Sequence, residues 1–124
     1  MEIILSSASE KPIYEQITSQ IKEMIMTGEL QPGEALPSMR NLAKDLHVSV
    51  ITTQRAYDDL SKDGFIVTIP AKGTFVSTQN QDFIREENLR RIEGLLSDAA
   101  RLGRENGLSL EELEKTLELV YTEE

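Results

Sequence analysis

Apolar residues recur at intervals of three and four along the first part of the chain, a spacing that is typical of amphipathic helices. The first such series follows Pro12 and closes at Gly28. Its apolar members are Ile13, Ile17, Ile21, Met24 and Ile25. Because proline suits the first turn of a helix and glycine the position just beyond its end, this series predicts an opening helix.

Two shorter helices are predicted after a loop. Residues 30–37 contain two prolines and a Pro-Gly turn, so we expect an ordered loop there. Ser38 and Ser49 each precede a helical pattern, and serine is among the preferred N-terminal caps. His47 and Val48 would form the tight connection between the two helices, and the third helix would close at Gly64.

The remaining pattern predicts a hairpin and two further helices. Residues 65–69 and 74–77 are rich in β-branched and aromatic side chains and flank Pro70 to Gly73, which favours two strands joined by a turn. A long apolar stripe then ends near Asn106-Gly107, and Ser109 with Glu112 forms a capping box. We predict a mainly α fold with a small β wing, in which residues 10–78 form one domain and residues 79–124 a two-helix region.

Composition excludes several classes of function. The 124 residues contain no cysteine and a single histidine, His47. Disulfides and thiolate metal sites are therefore excluded, and we expect no metal, no cofactor and no enzymatic activity. No stretch approaches the ~18 apolar residues of a membrane span, and the opening residues 2–5 are too short and acidic for a signal peptide. We expect a cytoplasmic protein without membrane contact.

The net charge of −9 disfavours nucleic acid at first sight, because phosphate binding requires a basic face. The charge is uneven, however. Residues 1–78 contain seven Lys and Arg against ten Asp and Glu, whereas residues 79–124 contain six against twelve. Since local rather than total charge decides DNA binding, two functions stay open: a DNA-binding regulator, and a winged-helix module that binds only proteins.

An ordered set of short motifs carries a family resemblance. The run GELQPGEALPSMRNLA at residues 28–43 is followed by LHVS at 46–49, AY at 56–57, GFI at 64–66 and KGTFV at 72–76. This set resembles the GntR family of bacterial transcriptional regulators over residues 12–76, and the resemblance implies an N-terminal winged helix-turn-helix. The Ala56-Tyr57 pair and the short remainder are similar to the YtrA subfamily, whose members have a short helical dimerisation region and often repress transporter operons.

The resemblance also implies which residues contact DNA. In a helix-turn-helix the recognition helix enters the major groove with its N-terminal turn at the base edges. The predicted DNA-binding residues are Ser38, Arg40, Ser49, Val50, Thr52, Thr53, Gln54, Arg55, Lys72, Gly73 and Thr74. Purely structural roles stay open for several of them: the serines as caps, Thr52 as a packing residue, Arg55 as a solvated charge and the wing residues as a plain hairpin turn.

Three positions depart from the family pattern. Val50 and Gln54 stand where relatives often carry arginine, and Ala71 stands where the wing commonly has glycine. Arginine favours guanine, whereas glutamine matches adenine, and valine offers only an apolar contact to a thymine methyl. We therefore expect a half-site that is richer in A·T near Gln54 than the half-sites of relatives with arginine, and the family's operator sequence does not carry over to this chain.

The two C-terminal helices contain more apolar residues than a lone hairpin can cover, so we expect a second copy of the chain to bury them. The predicted dimerisation residues are Ile84, Leu95, Leu96, Leu102, Leu113 and Leu117. The chain would then be a homodimeric repressor of a transporter operon or a neighbouring operon, bound to a pseudo-palindromic site in double-stranded DNA. A small-molecule effector is left open, because no residues stand out for one.

Overall fold

The computed structural model describes residues 1–79 and 81–123. In these residues it contains five helices and three strands. In chain order they are α1 (Ile13–Met26), β1 (Ala35–Leu36), α2 (Met39–Leu46), α3 (Val50–Lys62), β2 (Ile66–Ile69), β3 (Gly73–Val76), α4 (Gln81–Glu105) and α5 (Leu110–Thr122). The predicted mainly α fold with a small β wing is confirmed. The chain divides into two compact units: a first unit of residues Met1–Asp82 and a second unit that begins at Phe83.

The first unit encloses a hydrophobic core between its three helices and its sheet. Helix α3 packs against both α1 and α2, and β2 follows α3 directly. The apolar positions that predicted α1 face this core. The buried apolar residues of the core are Ile17, Ile21, Met24, Ile25, Leu30, Leu36, Leu42, Ala43, Ala56, Tyr57, Leu60, Phe65, Ile66 and Val76. The wing is therefore joined to the helices by one continuous core.

The wing contains a strand that the sequence pattern did not predict. Within the segment expected to be a loop, Ala35–Leu36 forms β1, which pairs antiparallel with β3. Strand β3 also pairs antiparallel with β2, so the strand order is β1-β3-β2. Two residues are too few to show the alternation that identifies a strand, which is why the pattern missed it. The pairing ties the wing to the segment that precedes α2.

The turn between β2 and β3 has the geometry of a type II turn. The Lys72 N–H donates to the Ile69 carbonyl at 3.0 Å, Pro70 occupies the second position, and Ala71 has φ +65°. A type II turn requires positive φ at its third position, where glycine is preferred. Ala71 therefore holds a conformation that a side chain disfavours.

An extended segment lies alongside α1 and is held by two glutamine side chains. The Gln20 carboxamide accepts from the Ile4 N–H at 2.9 Å and donates to the Ile4 carbonyl at 2.7 Å. One turn earlier, the Gln16 carboxamide makes the same pair of bonds with Ser6 and also donates to the Lys11 carbonyl. These bonds involve only the backbone of Ile4, and the residue is 72% exposed.

The second unit is a hairpin of α4 and α5. Ser109 and Glu112 form the predicted capping box at the start of α5. An added Cβ on Gly103 would lie 2.7 Å from Leu113 Cδ1, so glycine permits the close approach of the two helices. Among the described residues of this unit, Gly103 alone is buried. No helix in the described part of the chain is long and apolar enough to cross a membrane.

Candidate DNA interface

A three-residue turn joins α2 to α3, and the first two residues of this turn terminate α2. His47 adopts the left-handed conformation, with φ +57° and ψ +43°, and the Val48 N–H returns to the Ala43 carbonyl at 3.0 Å. This is the Schellman pattern that ends many helices, with histidine at the position where glycine is usual. The sole histidine of the chain therefore has a structural place in the turn.

Two buried hydroxyl groups fix α3 against α2 and the residues before it. Thr53 is fully buried, and its Oγ1 lies 2.9 Å from the carbonyl oxygen of Met39, the first residue of α2. The Tyr57 hydroxyl, also buried, donates to the Pro37 carbonyl at 2.7 Å. Burial raises the pKa of the Tyr57 phenol, so the group stays a neutral donor. These bonds set the orientation in which α3 presents its outer face.

Serine caps open both helices of the motif, as predicted. The Ser38 hydroxyl accepts from the Asn41 N–H at 3.1 Å, and the Ser49 hydroxyl accepts from the Thr52 N–H at 3.2 Å. Ser49 Oγ also lies 2.9 Å from Thr52 Oγ1. Both serines remain exposed. A capping hydroxyl at an exposed helix N-terminus can still meet a phosphate, because the first-turn N–H groups point to the same side.

The side chains expected to reach bases and phosphates are mostly on the surface. Val50 and Gln54 are exposed at the N-terminal end of α3, and Arg40 is exposed in the first turn of α2. Arg55 is exposed but held by a partner. Its guanidinium stacks 3.8 Å from the ring centre of Tyr14 and donates to the Tyr14 hydroxyl at 3.1 Å. Helix α1 therefore positions one cation of the recognition helix.

The wing tip is formed by Lys72 and Gly73. Both are exposed, and Gly73 has φ +121° with open space where a Cβ would be. The Lys72 side chain can therefore extend from the tip, and the glycine backbone can approach a ligand closely.

Two of the residues predicted to contact DNA have side chains that the structure buries. Thr53 is fully buried in the contact between α3 and α2, with its hydroxyl already hydrogen-bonded, so it has no surface to offer. Thr74 is 9% exposed and lies within β3 rather than at the tip, with its hydroxyl 3.2 Å from the Thr68 hydroxyl. Both residues stabilise the elements that carry the exposed side chains.

Sequence reasoning missed two residues of this surface. Ile51 is 78% exposed in the first turn of α3, and Tyr14 supports Arg55 from α1. Helical spacing could have placed Ile51 on the outer face, because it lies opposite the inward series Thr53, Ala56, Tyr57 and Leu60. No sequence signal pairs Tyr14 with Arg55, since the two residues are 41 positions apart.

Charge also singles out this part of the chain. Residues 38–78 contain five Lys and Arg against four Asp and no Glu, whereas residues 1–37 contain two basic against six acidic residues. Residues 79–124 contain six against twelve. The helix-turn-helix and wing therefore form the one segment without net negative charge, which removes much of the conflict between the charge of −9 and DNA binding.

The predicted dimerisation residues divide into two groups. Leu95, Leu96, Leu102 and Leu117 are exposed, and the exposed fraction reaches 70% at Leu95. Ile84 is half-buried, and so is Leu113, which packs against Gly103 inside the hairpin. The Leu113 side chain therefore takes part in the contact between α4 and α5, and only its remaining exposed part is available to a second chain.

Known proteins are similar to this chain in sequence and in fold. The chain is 33% identical to the HTH-type transcriptional repressor YtrA of Bacillus subtilis over 111 residues, which cover 90% of this chain and 85% of that protein. The solved structure of YtrA from Sulfolobus acidocaldarius, a GntR-family transcription factor, is 38% identical, with a TM-score of 0.58, and the match covers 73% of this chain and 97% of that one.

A third match is a structure that includes DNA. The DNA-binding domain of AraR, solved in complex with operator ORX1, is 26% identical to this chain with a TM-score of 0.55; the match covers 62% of this chain and 96% of that one. These relatives are transcription factors, not enzymes. Residues 13–76 match the family model of bacterial regulatory proteins of the gntR family. The chain therefore belongs to the GntR family of DNA-binding transcriptional regulators.

Proposed function

We propose that this chain is a homodimeric repressor that binds a pseudo-palindromic operator in double-stranded DNA. The observation that carries the proposal is the division of α3 into two faces. Thr53 and Tyr57 anchor one face, while Val50, Ile51, Gln54 and Arg55 are exposed on the others. Repression is supported by the name of the Bacillus subtilis relative. The subfamily resemblance points to a transporter operon or a neighbouring operon as the target.

Each residue of this surface takes a role that its chemistry allows; all of them are exposed except Thr52, which is half-buried. Gln54 binds the adenine edge through its paired donor and acceptor, and Val50 contributes an apolar contact. Ser38, Ser49, Thr52 and the first-turn N–H groups face phosphates. Three cations, Arg40 on α2, Arg55 on α3 and Lys72 at the wing tip, neutralise the charge of the DNA backbone.

The second unit supports the proposed dimer. Its apolar side chains are exposed along both helices, and only Gly103 is buried among its described residues. A hairpin of this kind gains little apolar burial alone, and a large exposed apolar surface marks an interaction site. A twofold dimer covers the same surface on both chains, and it also supplies the two recognition helices that a palindromic site requires.

A titration at several salt concentrations tests the DNA contacts. The probe is a duplex from the promoter region upstream of the gene that encodes the chain, with an unrelated duplex as the competitor. Because each phosphate contact releases counterions, Arg40→Ala should weaken binding to both duplexes similarly and reduce the salt slope by about 1. Lys11→Ala, which removes an exposed cation before α1, is the control and should leave the slope unchanged.

The same titration can contradict the proposal. If Arg40→Ala leaves both affinity and slope unchanged, α2 does not contact phosphate as described. If neither duplex nor any duplex selected from random DNA binds the wild-type chain, the operator-binding function is wrong.

A further inference from the structure

A large aliphatic side chain is exposed on the outer face of the recognition helix. Ile51 is 78% exposed, compared with 43% for Val50 beside it. It stands two residues before the fully buried Thr53, and two residues correspond to about 200° around a helix axis. Ile51 therefore points away from the core of the first unit, and core packing does not explain an isoleucine at this position.

The neighbours of Ile51 are the polar residues of the proposed interface. Gln54 and Arg55 follow at spacings of three and four, which places all three side chains on one face of α3. Ser49 caps the same end of the helix. Ile51 is therefore central to the surface that would enter the major groove. Its apolar surface stays in contact with water unless a ligand covers it.

We propose that Ile51 recognises a thymine in each half-site through the 5-methyl group of the base. The proposal rests on the DNA binding proposed for α3 and deepens it. The thymine methyl is the apolar group that base pairs present in the major groove, and cytosine has only a hydrogen at the same ring position. Contact with the Ile51 side chain removes both apolar surfaces from water, so it favours T·A over C·G at one position.

The experiment removes that methyl group without changing base pairing. Duplexes with a random central segment are selected on the full-length wild-type protein, and each thymine of the enriched duplex is then replaced singly by deoxyuridine. One thymine in each half-site should show a loss of affinity of about three- to fivefold on replacement, the effect expected for one methyl-sized apolar group.

A variant assigns the effect to Ile51. Ile51→Ser should bind the thymine and deoxyuridine duplexes with equal affinity at that position, because the side chain that contacts the methyl is gone. The matched control is Ile4→Ser, which removes an isoleucine of similar exposure from the segment beside α1. It should keep the full discrimination. Circular dichroism should be unchanged for both variants, since neither side chain packs in the core.

Three outcomes overturn the proposal, and they are distinguishable. If no duplex is enriched, the proposed operator binding is wrong, and the role of Ile51 falls with it. If a duplex is enriched but no thymine is sensitive to deoxyuridine, DNA binding stands and the methyl contact is wrong. If Ile51→Ser keeps the discrimination while Val50→Ala loses it, Val50 contacts the methyl instead.

Discussion

The two units of this chain use their apolar residues in opposite ways. The first unit buries a core between three helices and a small sheet, including Ile17, Ile21, Leu60 and Tyr57 with almost no exposed surface. In the second unit, Leu95 and Leu102 are 70% and 60% exposed, and Gly103 alone is buried among its described residues. Similar helical patterns therefore lead to a self-sufficient domain in one case and to an open surface in the other.

This difference indicates separate requirements for stability. The first unit has the contacts that a folded domain needs within one chain. The second unit has a helix cap and a close helix crossing, but packing of an amphipathic face supplies most helical stability in proteins. Among the described residues of this unit only Gly103 is buried, so one chain supplies little of that packing. We therefore expect the stability of the second unit to depend on protein concentration, whereas that of the first unit does not.

The strongest test of the comparison is to remove the second unit. A chain that ends at Asp82 should remain folded and monomeric, because its core is complete. Its affinity for an operator with two half-sites should fall by about 10²- to 10⁴-fold, since the two DNA-binding units are no longer linked. Light scattering and circular dichroism check the state of the chain, and a mobility shift checks its affinity. A truncated chain that binds as tightly as the full chain would contradict the linkage.

A matched pair of leucine substitutions separates the two kinds of apolar surface. Leu60→Ala opens a cavity in the core of the first unit, so it should lower the free energy of unfolding by about 2–5 kcal/mol at any protein concentration. Leu102→Ala should instead raise the dimer dissociation constant and leave the unfolding of the first unit unchanged. Denaturant titrations at several protein concentrations measure both effects. If Leu102→Ala acts independently of concentration, its side chain does not face a second chain.

A matched pair of glycines tests the crossing of α4 and α5. Gly103→Ala should destabilise the second unit by up to about 2 kcal/mol, because the new Cβ would lie 2.7 Å from Leu113 Cδ1. The overpacking costs about 1–3 kcal/mol, and the higher helix propensity of alanine offsets about 1 kcal/mol of it. Gly94, also in α4, has open space around its Cβ position, so Gly94→Ala should raise helix stability by about 1 kcal/mol. Thermal unfolding followed by circular dichroism checks both. Equal shifts in the two variants would mean that the crossing is looser than described.

The smallest predicted effect concerns the wing. Ala71→Gly should stabilise the first unit by about 0.5–1 kcal/mol, because glycine adopts the required φ of +65° without strain. The gain is limited, since glycine also increases the entropy of the unfolded chain. The midpoint of unfolding of the chain that ends at Asp82 measures it. A lower midpoint would show that the entropy of the unfolded chain outweighs the strain relieved at the turn.

Most of the helices could be predicted because each has a complete local signal. Ser38, Ser49 and Ser109 precede their helices as caps, and the apolar spacing of α1 matches its buried face. Strand β1 could not be predicted, because two residues show no period and its partner β3 lies nearly forty residues away. Local signals therefore predict helices better than they predict a pairing between distant strands.

The side-chain environments on α3 were predicted less completely than the fold. Thr53 was assigned to DNA because it is polar and lies in the first turns of α3, yet the 3.6-residue period turns it inward, and its hydroxyl bonds the Met39 carbonyl. Ile51 was overlooked for the opposite reason, since an isoleucine on a helix is usually buried. In both cases the residue type suggested one environment and the position on the helix determined another.

The number of chains bound to one operator tests the proposed dimer most directly. Light scattering on the full-length protein should give a dimer at micromolar concentration, and adding an enriched duplex with two half-sites should give one dimer per duplex. A duplex with one half-site destroyed should bind far more weakly. A monomer at micromolar concentration, or one chain per duplex with no loss of affinity when a half-site is destroyed, would contradict the claim that the second unit joins two DNA-binding units.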